Sequence, residues 1–147
     1  MKEIKNISII GMGALGVMYG SHLAHHLGFD HVTYIMDEKR YEKYKGSTVT
    51  CNGEKLSFTC VPASQAVPAD LVIVAVKSTG LTEALDTMKN CIGSDTVILS
   101  VMNGISSEEI IGERYGAEHM IYAVAQGMDA MKFGAELTYS KMGVLCI

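Results

Sequence analysis

The feature that most constrains this chain is a group of glycines between an apolar run and a helix-like run. Residues 7 to 28 read ISIIGMGALGVMYGSHLAHHLG. Glycine loses much conformational entropy in ordered backbone, so Gly11, Gly13 and Gly16 need a reason. In a strand–loop–helix unit, the first glycine forms the tight turn, the second lets a pyrophosphate approach the backbone, and the third packs the helix on the strand.

This pattern predicts a dinucleotide-binding loop, with the pyrophosphate at the helix N-terminus. The alternative is a glycine-rich turn that only packs. The cofactor-binding residues predicted from the loop are Gly11, Met12, Gly13, Ala14, Leu15 and Gly16. Further along the same helix, Gly20 adds a second small residue on the stripe that begins at Gly16, so we expect close contact with the sheet.

Length and composition describe one ordinary domain. The chain has 147 residues, 48% apolar and 19% charged, which is enough for one sizeable core. The net charge of −4 and the scattered Lys and Arg residues argue against a nucleic-acid-binding surface. No apolar run approaches the roughly 18 residues of a membrane span, and the N-terminus lacks the apolar core of a signal peptide. We therefore expect a cytoplasmic protein without a membrane partner.

Neither the cysteines nor the histidines predict a metal site. The four cysteines are Cys51, Cys60, Cys91 and Cys146. None has C-x-x-C spacing, so we interpret them as reduced thiols. His22, His25 and His26 have helical spacing, but no carboxylate or cysteine accompanies them, and an outer helix face is the expectation.

The apolar runs predict a Rossmann-like, doubly wound α/β domain over residues 1–147. Strand-like runs recur at Ile7–Ile10, His31–Met36, Leu71–Val76, Thr96–Met102 and Met120–Gln126. Several are almost continuously apolar, which is typical of strands buried on both faces of a parallel sheet with helices on each side. Residues 47–61 predict an inserted β-hairpin about Asn52-Gly53, and residues 133–147 predict a C-terminal strand pair.

Charged residues follow the predicted second strand. Asp37 stands 21 positions after Gly16, where a carboxylate accepts hydrogen bonds from the ribose hydroxyls of NAD and repels a 2′-phosphate. Lys39 or Arg40 could instead bind a 2′-phosphate, and the guanidinium of Arg40 has the fork geometry for it. A solvated start to a short helix is the alternative for Glu38 and Lys39.

Two polar residues follow the next two apolar strands, at the sheet edge where parallel α/β domains bind ligands. Lys77 can reach a ribose hydroxyl or an anionic substrate, and Asn103 offers an amide beside the unhindered backbone of Gly104. A salt-bridged surface lysine and an Asn-Gly turn are the structural alternatives. Because position and residue type agree for both, we interpret them as site residues.

Three motifs together resemble the N-terminal domain of ketopantoate reductases (2-dehydropantoate 2-reductases). They are the Gly-x-Gly-Ala-Leu-Gly loop at Gly11–Gly16, Val-Lys-Ser at Val76–Ser78, and Asn103-Gly104. The resemblance implies NADPH-dependent reduction of 2-dehydropantoate, a small 2-oxo acid, to (R)-pantoate in pantothenate and coenzyme A biosynthesis. It also implies that Lys77 and Asn103 contact the cofactor near the nicotinamide ribose.

The resemblance also carries over a further cofactor contact, an alanine that best matches Ala130. Family members often have arginine where this chain has Asp37, which makes NADH the alternative cofactor. In the family, the general-acid lysine and its partner glutamate lie in a C-terminal helical domain, which we expect to be missing from this chain. We therefore expect no catalytic residue in this chain beyond supporting roles for Lys77 and Asn103, and no turnover by the chain alone.

The last residues, SKMGVLCI, predict a strand without a polar tail, which suggests a fragment whose missing part covers this edge. Exposure of that interdomain surface predicts self-association into a homo-oligomer. Two other functions stay open at this point: a stand-alone NAD(P)-binding or sensing module, and the cofactor domain of a related hydroxy acid dehydrogenase.

Overall fold

The computed structural model describes residues 3–102 and 106–147. Its strands in this part of the chain are β1 (Ile7–Ile10), β2 (Val32–Met36), β3 (Val49–Cys51), β4 (Glu54–Leu56), β5 (Thr59–Pro62), β6 (Leu71–Val74), β7 (Val97–Ser100), β8 (Met120–Ile121), β9 (Val124–Gln126), β10 (Met131–Phe133), β11 (Glu136–Thr138) and β12 (Val144–Cys146). The α-helices are α1 (Ala14–Leu27), α2 (Glu38–Tyr44), α3 (Leu81–Thr87) and α4 (Ser106–Tyr115). Short 3₁₀ turns occupy Phe29–His31, Ala63–Gln65, Ser78–Gly80, Lys89–Cys91 and Ala117–His119.

The main sheet has six strands in the order β5-β2-β1-β6-β7-β8, and all its neighbouring pairs are parallel. The chain moves outward from β1 in one direction and then returns to pair β6 on the other side of β1. This reversal creates a crevice at the carboxyl ends of β1 and β6, where open α/β sheets bind ligands. The predicted doubly wound, mainly parallel fold is confirmed.

Two apolar clusters cover opposite faces of the main sheet. On β1, Ile9 packs into the cluster that contains Met18 of α1, whereas Ile10 packs into the cluster that contains Leu85 of α3 and Ile111 of α4. Side chains alternate between the faces of a strand, so apolar residues at successive positions fill both layers. The helices on the two faces hold the crevice-forming strands rigidly in place.

A second sheet joins two hairpins that are far apart in the sequence, in the order β10-β11-β3-β4. The β3–β4 hairpin turns at Asn52 and Gly53, which both have positive φ, as predicted. Strand β11 adds to it in parallel, with Thr50 opposite Glu136 and Cys51 opposite Leu137. Leu137 is 1% exposed and joins the cluster under α1.

The strand predictions need three corrections. Residues 59–61, the end of the predicted inserted hairpin, belong instead to edge strand β5 of the main sheet. The predicted strand Met120–Gln126 is two strands: β8 pairs with β7, and β9 pairs antiparallel with β12. The two strands within residues 133–147, β11 and β12, do not pair with each other as predicted, because β11 pairs with β10 and β3 whereas β12 pairs with β9. Within the described part of the chain, no helix is long and apolar enough to cross a membrane.

Helix α1 lies very close to the sheet, and Tyr34 of β2 explains how. The Tyr34 hydroxyl donates a 2.7 Å hydrogen bond to the carbonyl of Gly16, and a Cβ atom on Gly20 would collide with that hydroxyl. Burial raises the pKa of the Tyr34 phenol far above its usual range, so it remains a hydrogen-bond donor. The small residues of α1 thus make the predicted close approach, and the helix ends at Gly28, which has φ +107°.

His25 of α1 corrects the expectation that no carboxylate accompanies the histidines. Its Nε2 lies 3.1 Å from Oε1 of Glu54 in β4, and its Nδ1 lies 2.7 Å from the carbonyl oxygen of Ser21. These contacts tie α1 to the second sheet. The His22 and His26 rings lie with centroids 4.4 Å apart on the exposed side, and the described residues bring no three potential metal ligands together.

The His25–Glu54 contact predicts a pH-dependent contribution to stability. The hydrogen bond of the His25 ring to the Ser21 carbonyl, and after it the Glu54 carboxylate, raise the pKa of His25 above its ordinary value. The contribution is therefore fully present below the unfolded pKa of about 6.5 and is lost as the pH rises through the folded pKa. We expect Glu54→Gln to cost about 0.3 kcal/mol of unfolding free energy at pH 5.5 and nothing at pH 8.5. Urea denaturation at both values measures it, with Glu136→Gln in the same sheet as control; equal losses at both values would contradict the assignment.

Candidate functional site

The glycine loop lies at the crevice, and two of its glycines are required by packing alone. Gly11 has φ +109°, and a Cβ atom there would collide with the carbonyl of Ala75 after β6. A Cβ atom on Gly16 would collide with the carbonyl oxygen of Gly11. The loop is therefore folded tightly between β1, β6 and the start of α1, with no room for any side chain at these two positions.

Gly13 is different, because it faces open space. It has φ −74°, a value that any residue adopts, and a Cβ atom there would have no neighbour within 4 Å. It is also the N-cap of α1, whose first turn has no acidic residue and whose cap has no side-chain hydrogen bond. The first N–H groups of α1 are thus without a capping side chain beside an open backbone surface, which fits an anionic group such as a pyrophosphate.

A cleft of about 1500 Å³ opens in front of this loop. Its lining includes most of the residues predicted from the sequence, namely Gly11, Met12, Gly13, Ala14, Leu15, Asp37, Arg40 and Lys77. Gly16 lies behind the loop, buried against its backbone. Asn103 lies outside the described residues. Ala130 is half-buried and packs against the cluster under α1 rather than on the cleft lining.

Asp37 and Arg40, which the sequence predicts as alternative ligands of the cofactor's adenosine end, are bonded to each other. Asp37 is the N-cap of α2, and its Oδ1 accepts a 2.8 Å hydrogen bond from the backbone N–H of Arg40. Its Oδ2 lies 3.0 Å from Nη1 of the Arg40 guanidinium. The carboxylate therefore holds the start of α2 and the cation together at the cleft wall.

Lys77 follows β6 and precedes the 3₁₀ turn Ser78–Gly80, so its backbone is fixed where the strand ends. Its side chain is exposed and lines the cleft. Among the residues that the structure describes, no carboxylate lies within ion-pair distance of its ammonium group. Lys77 is therefore a cation in the cleft that is available to a ligand.

A family model described as "Ketopantoate reductase PanE/ApbA" matches residues 7–132. The chain belongs to the ketopantoate reductase family. Two curated relatives are 2-dehydropantoate 2-reductases. The one from Pyrococcus horikoshii is 34% identical over 113 residues, covering 75% of this chain and 36% of the relative. The one from Lactococcus lactis is 31% identical over 124 residues, covering 79% of this chain and 39% of the relative. The chain thus spans less than two fifths of the length of these relatives.

Solved structures share the fold of this family member. A 2-dehydropantoate 2-reductase from Geobacter metallireducens superposes with a TM-score of 0.78 at 23% identity, covering 95% of this chain and 48% of that one. A structure of D-mandelate dehydrogenase with NADH and anilino(oxo)acetate gives the same TM-score and identity, covering 95% of this chain and 47% of that one. The fold of this chain is therefore shared with both of these structures.

In this member of the ketopantoate reductase family, one wall of the cleft is formed by residues that the sequence did not predict. The β10–β11 hairpin contributes Lys132, Gly134 and Ala135 to the lining, and residues 46–49 approach it from the end of α2. The Ala135 carbonyl accepts a 2.8 Å hydrogen bond from the backbone N–H of Thr50, which holds the hairpin there. Nothing local in the sequence marks Lys132 as a cleft residue, because its position depends on pairing between β11 and β3.

Proposed function

We propose that this chain is the nicotinamide-dinucleotide-binding part of a ketone-reducing enzyme. The observation that carries the proposal is Gly13, an open backbone position on the uncapped N-terminus of α1, facing a cleft at the strand-order reversal. Family membership makes 2-dehydropantoate the proposed substrate and (R)-pantoate the product, in pantothenate and coenzyme A biosynthesis. A related hydroxy acid dehydrogenase, as the likeness to D-mandelate dehydrogenase suggests, is the alternative within enzymes.

In the proposed function, residues at different places along the cleft bind different parts of the cofactor. Backbone N–H groups from Gly13 onward bind the pyrophosphate, and Asp37 or Arg40 binds the adenosine ribose. When bound, a dihydronicotinamide supplies the hydride that reduces a keto carbon. Lys77, with Asn103 as its proposed partner, orients the nicotinamide end and offers positive charge to a 2-oxo acid. Ile10 of β1 and Ile35 of β2 add apolar lining to the cleft.

Ketone reduction also needs a proton donor within hydrogen-bond reach of the developing alkoxide. We propose that this donor lies outside these 147 residues, in a second domain such as the family's longer members have. The coverage of 36% and 39% of the curated relatives supports this division. Accordingly, we expect the chain alone to bind cofactor and to produce no pantoate at a rate comparable with full-length enzymes. A comparable rate would overturn the proposed division.

Two forms of the cofactor are proposed, and one residue pair bears on the choice. NADPH is the form that the family resemblance implies, with Arg40 as the 2′-phosphate ligand. The contact between Asp37 and Arg40 is the observation that favours NADH, since the Arg40 guanidinium is already paired with the Asp37 carboxylate. Calorimetric titration with NADPH and NADH in parallel, at fixed salt, tests the proposed function. Binding of neither would contradict it.

Replacing Lys77 by glutamine is expected to weaken cofactor binding about fivefold, because the amide keeps a polar end group but loses the positive charge and with it the charge-assisted hydrogen bond. The same titration measures it. Lys89→Gln is the matched control, since Lys89 is exposed and lies outside the cleft lining. Equal effects of the two substitutions would show that only net charge matters and would remove Lys77 from the site.

A nicotinamide-binding module that reports to a partner protein is the second candidate function. Large apolar side chains at the C-terminal strands are exposed, among them Tyr122, Val124, Phe133 and Val144. Exposed apolar patches of this kind serve association, including self-association. Sedimentation over a concentration range tests oligomer formation. Cofactor binding without turnover, even after addition of the rest of a family enzyme, would favour the module.

A further inference from the structure

A charged groove beside the cleft separates α2 from α3. It has a volume of about 610 Å³, and its lining is Asp37, Lys39, Arg40, Lys43, Tyr44, Glu83, Asp86 and Thr87. Four of these residues, Asp37, Arg40, Tyr44 and Thr87, also line the main cleft, so the two spaces are continuous at the end of β2. In the proposed function, this end of the cleft receives the adenosine ribose.

Arg40 stands between two carboxylates at this junction. Its Nη1 lies 3.0 Å from Oδ2 of Asp37 and 3.5 Å from Oε2 of Glu83. Asp37 is local to Arg40, three residues earlier at the cap of the same helix. Glu83 reaches Arg40 from α3, a helix anchored by buried Leu81 and Ala84 on its other side. The second carboxylate is therefore placed by tertiary structure.

The charges of this group disfavour a phosphate. Arg40, Asp37 and Glu83 sum to −1, and the groove lining as a whole, which adds Lys39, Lys43 and Asp86, sums to zero rather than to the positive charge that would favour a phosphate monoester of about −1.5 to −2. A 2′-phosphate would have to take Arg40 from Glu83 and then remain near that carboxylate. An unphosphorylated ribose meets no such penalty, because its hydroxyls are neutral donors and Asp37 retains free acceptor lone pairs.

We propose that Glu83 is a specificity-determining residue that lowers the affinity of this chain for the 2′-phosphorylated cofactor relative to the unphosphorylated one. The inference deepens the proposed function and rests on it, because the group acts only where a dinucleotide lies in the cleft. Glu83 does so from across the groove, by holding Arg40 and by repelling the phosphate.

The test compares Glu83→Gln with Asp86→Asn. Both remove one negative charge from the exposed face of α3, but Asp86 lies 2.7 Å from Arg114 and serves as the control for net charge. The Glu83 side chain is 69% exposed. Within α3, Glu83 contributes its backbone carbonyl, which accepts a hydrogen bond from the Thr87 hydroxyl. Glutamine therefore preserves the fold.

We expect Glu83→Gln to tighten NADPH binding about fivefold, to change NADH binding less than about twofold, and to show a smaller effect at high salt. The fragments 2′,5′-ADP and 5′-AMP should show the same difference, which places the effect at the adenosine end. An unchanged ratio of NADPH to NADH affinity, or an equal change in Asp86→Asn, would overturn the role of Glu83. Failure of the unmodified chain to bind either cofactor would instead overturn the proposed function.

Discussion

Replacing Gly13 by alanine is expected to weaken nicotinamide-cofactor binding about 30-fold, a loss of roughly 2 kcal/mol. The added methyl group has no protein neighbour within 4 Å, so it projects into the cleft at the position where a pyrophosphate must approach the backbone. Parallel calorimetric titration of the variant and the unmodified chain measures the change.

The fold of the Gly13 variant should survive. The backbone at Gly13 has φ −74°, which alanine adopts without strain. Alanine is a poorer N-cap than glycine, and this costs at most about 1 kcal/mol. Thermal unfolding of the same sample separates the two effects. Equal cofactor affinity in the variant would mean that the glycine loop is only a turn, and the proposed function would lose its main support.

In contrast to Gly13→Ala, which should leave the fold intact, replacing Gly16 by alanine is expected to lower the unfolding free energy by about 3 kcal/mol. The new Cβ atom would collide with the carbonyl oxygen of Gly11, a backbone atom in a loop that is itself packed against Ala75. For a domain of this size the loss corresponds to a decrease of about 10 °C in melting temperature. Differential scanning calorimetry measures it.

Gly112 in α4 provides a matched control for the Gly16 substitution. A Cβ atom there would have Ala117 and Met120 at ordinary contact distances of 3.5 Å and 3.6 Å. Helix propensity alone makes Gly→Ala stabilising by up to about 1 kcal/mol, so the two substitutions should have opposite signs. Stabilisation by Gly16→Ala would contradict the close packing of α1 against the loop.

The parts of the fold and site that could be predicted from the sequence are those encoded within a short stretch. The apolar run of β1, the three glycines and the end of α1 at Gly28 lie within one strand–loop–helix unit, and each has a local physical requirement. Lys77 could be placed for the same reason, since it directly follows the apolar run Leu71–Val76, which contains buried strand β6 of the parallel sheet. The Asn52-Gly53 turn specified its own hairpin.

The contact between Asp37 and Arg40 was also readable in principle. An aspartate at a helix start with a basic residue three positions later is an ordinary capping arrangement with an i,i+3 ion pair. From the sequence alone, the two residues are competing alternatives, because a carboxylate suits a ribose and a guanidinium suits a phosphate. In the structure the two residues are bonded to each other, so Arg40 can bind a 2′-phosphate only if its guanidinium leaves the Asp37 carboxylate.

The remaining features depend on pairing between distant segments, which periodicity does not record. Strand β5 is short and half-exposed, so its pattern did not distinguish an edge of the main sheet from an extension of the hairpin. Lys132 reaches the cleft only because β11 pairs with β3, and Glu54 reaches His25 for a related reason. Glu83 meets Arg40 only once α2 and α3 are packed on the sheet.

The pairing of β3 with β11 has a consequence for the order in which the protein assembles. Residues 131–138 are made long after α1, and Leu137 must arrive before the cluster beneath that helix is complete. Until then, the β3–β4 hairpin has no third strand beside it and depends on its contacts with α1, since a two-stranded hairpin alone is marginal in water. Joining such distant segments is slow, since the closure of a long loop precedes the contacts that reward it. Until residues 131–138 have been made, a nascent chain therefore lacks the contact of Leu137 with the cluster under α1, and exposed apolar surface of this kind favours aggregation.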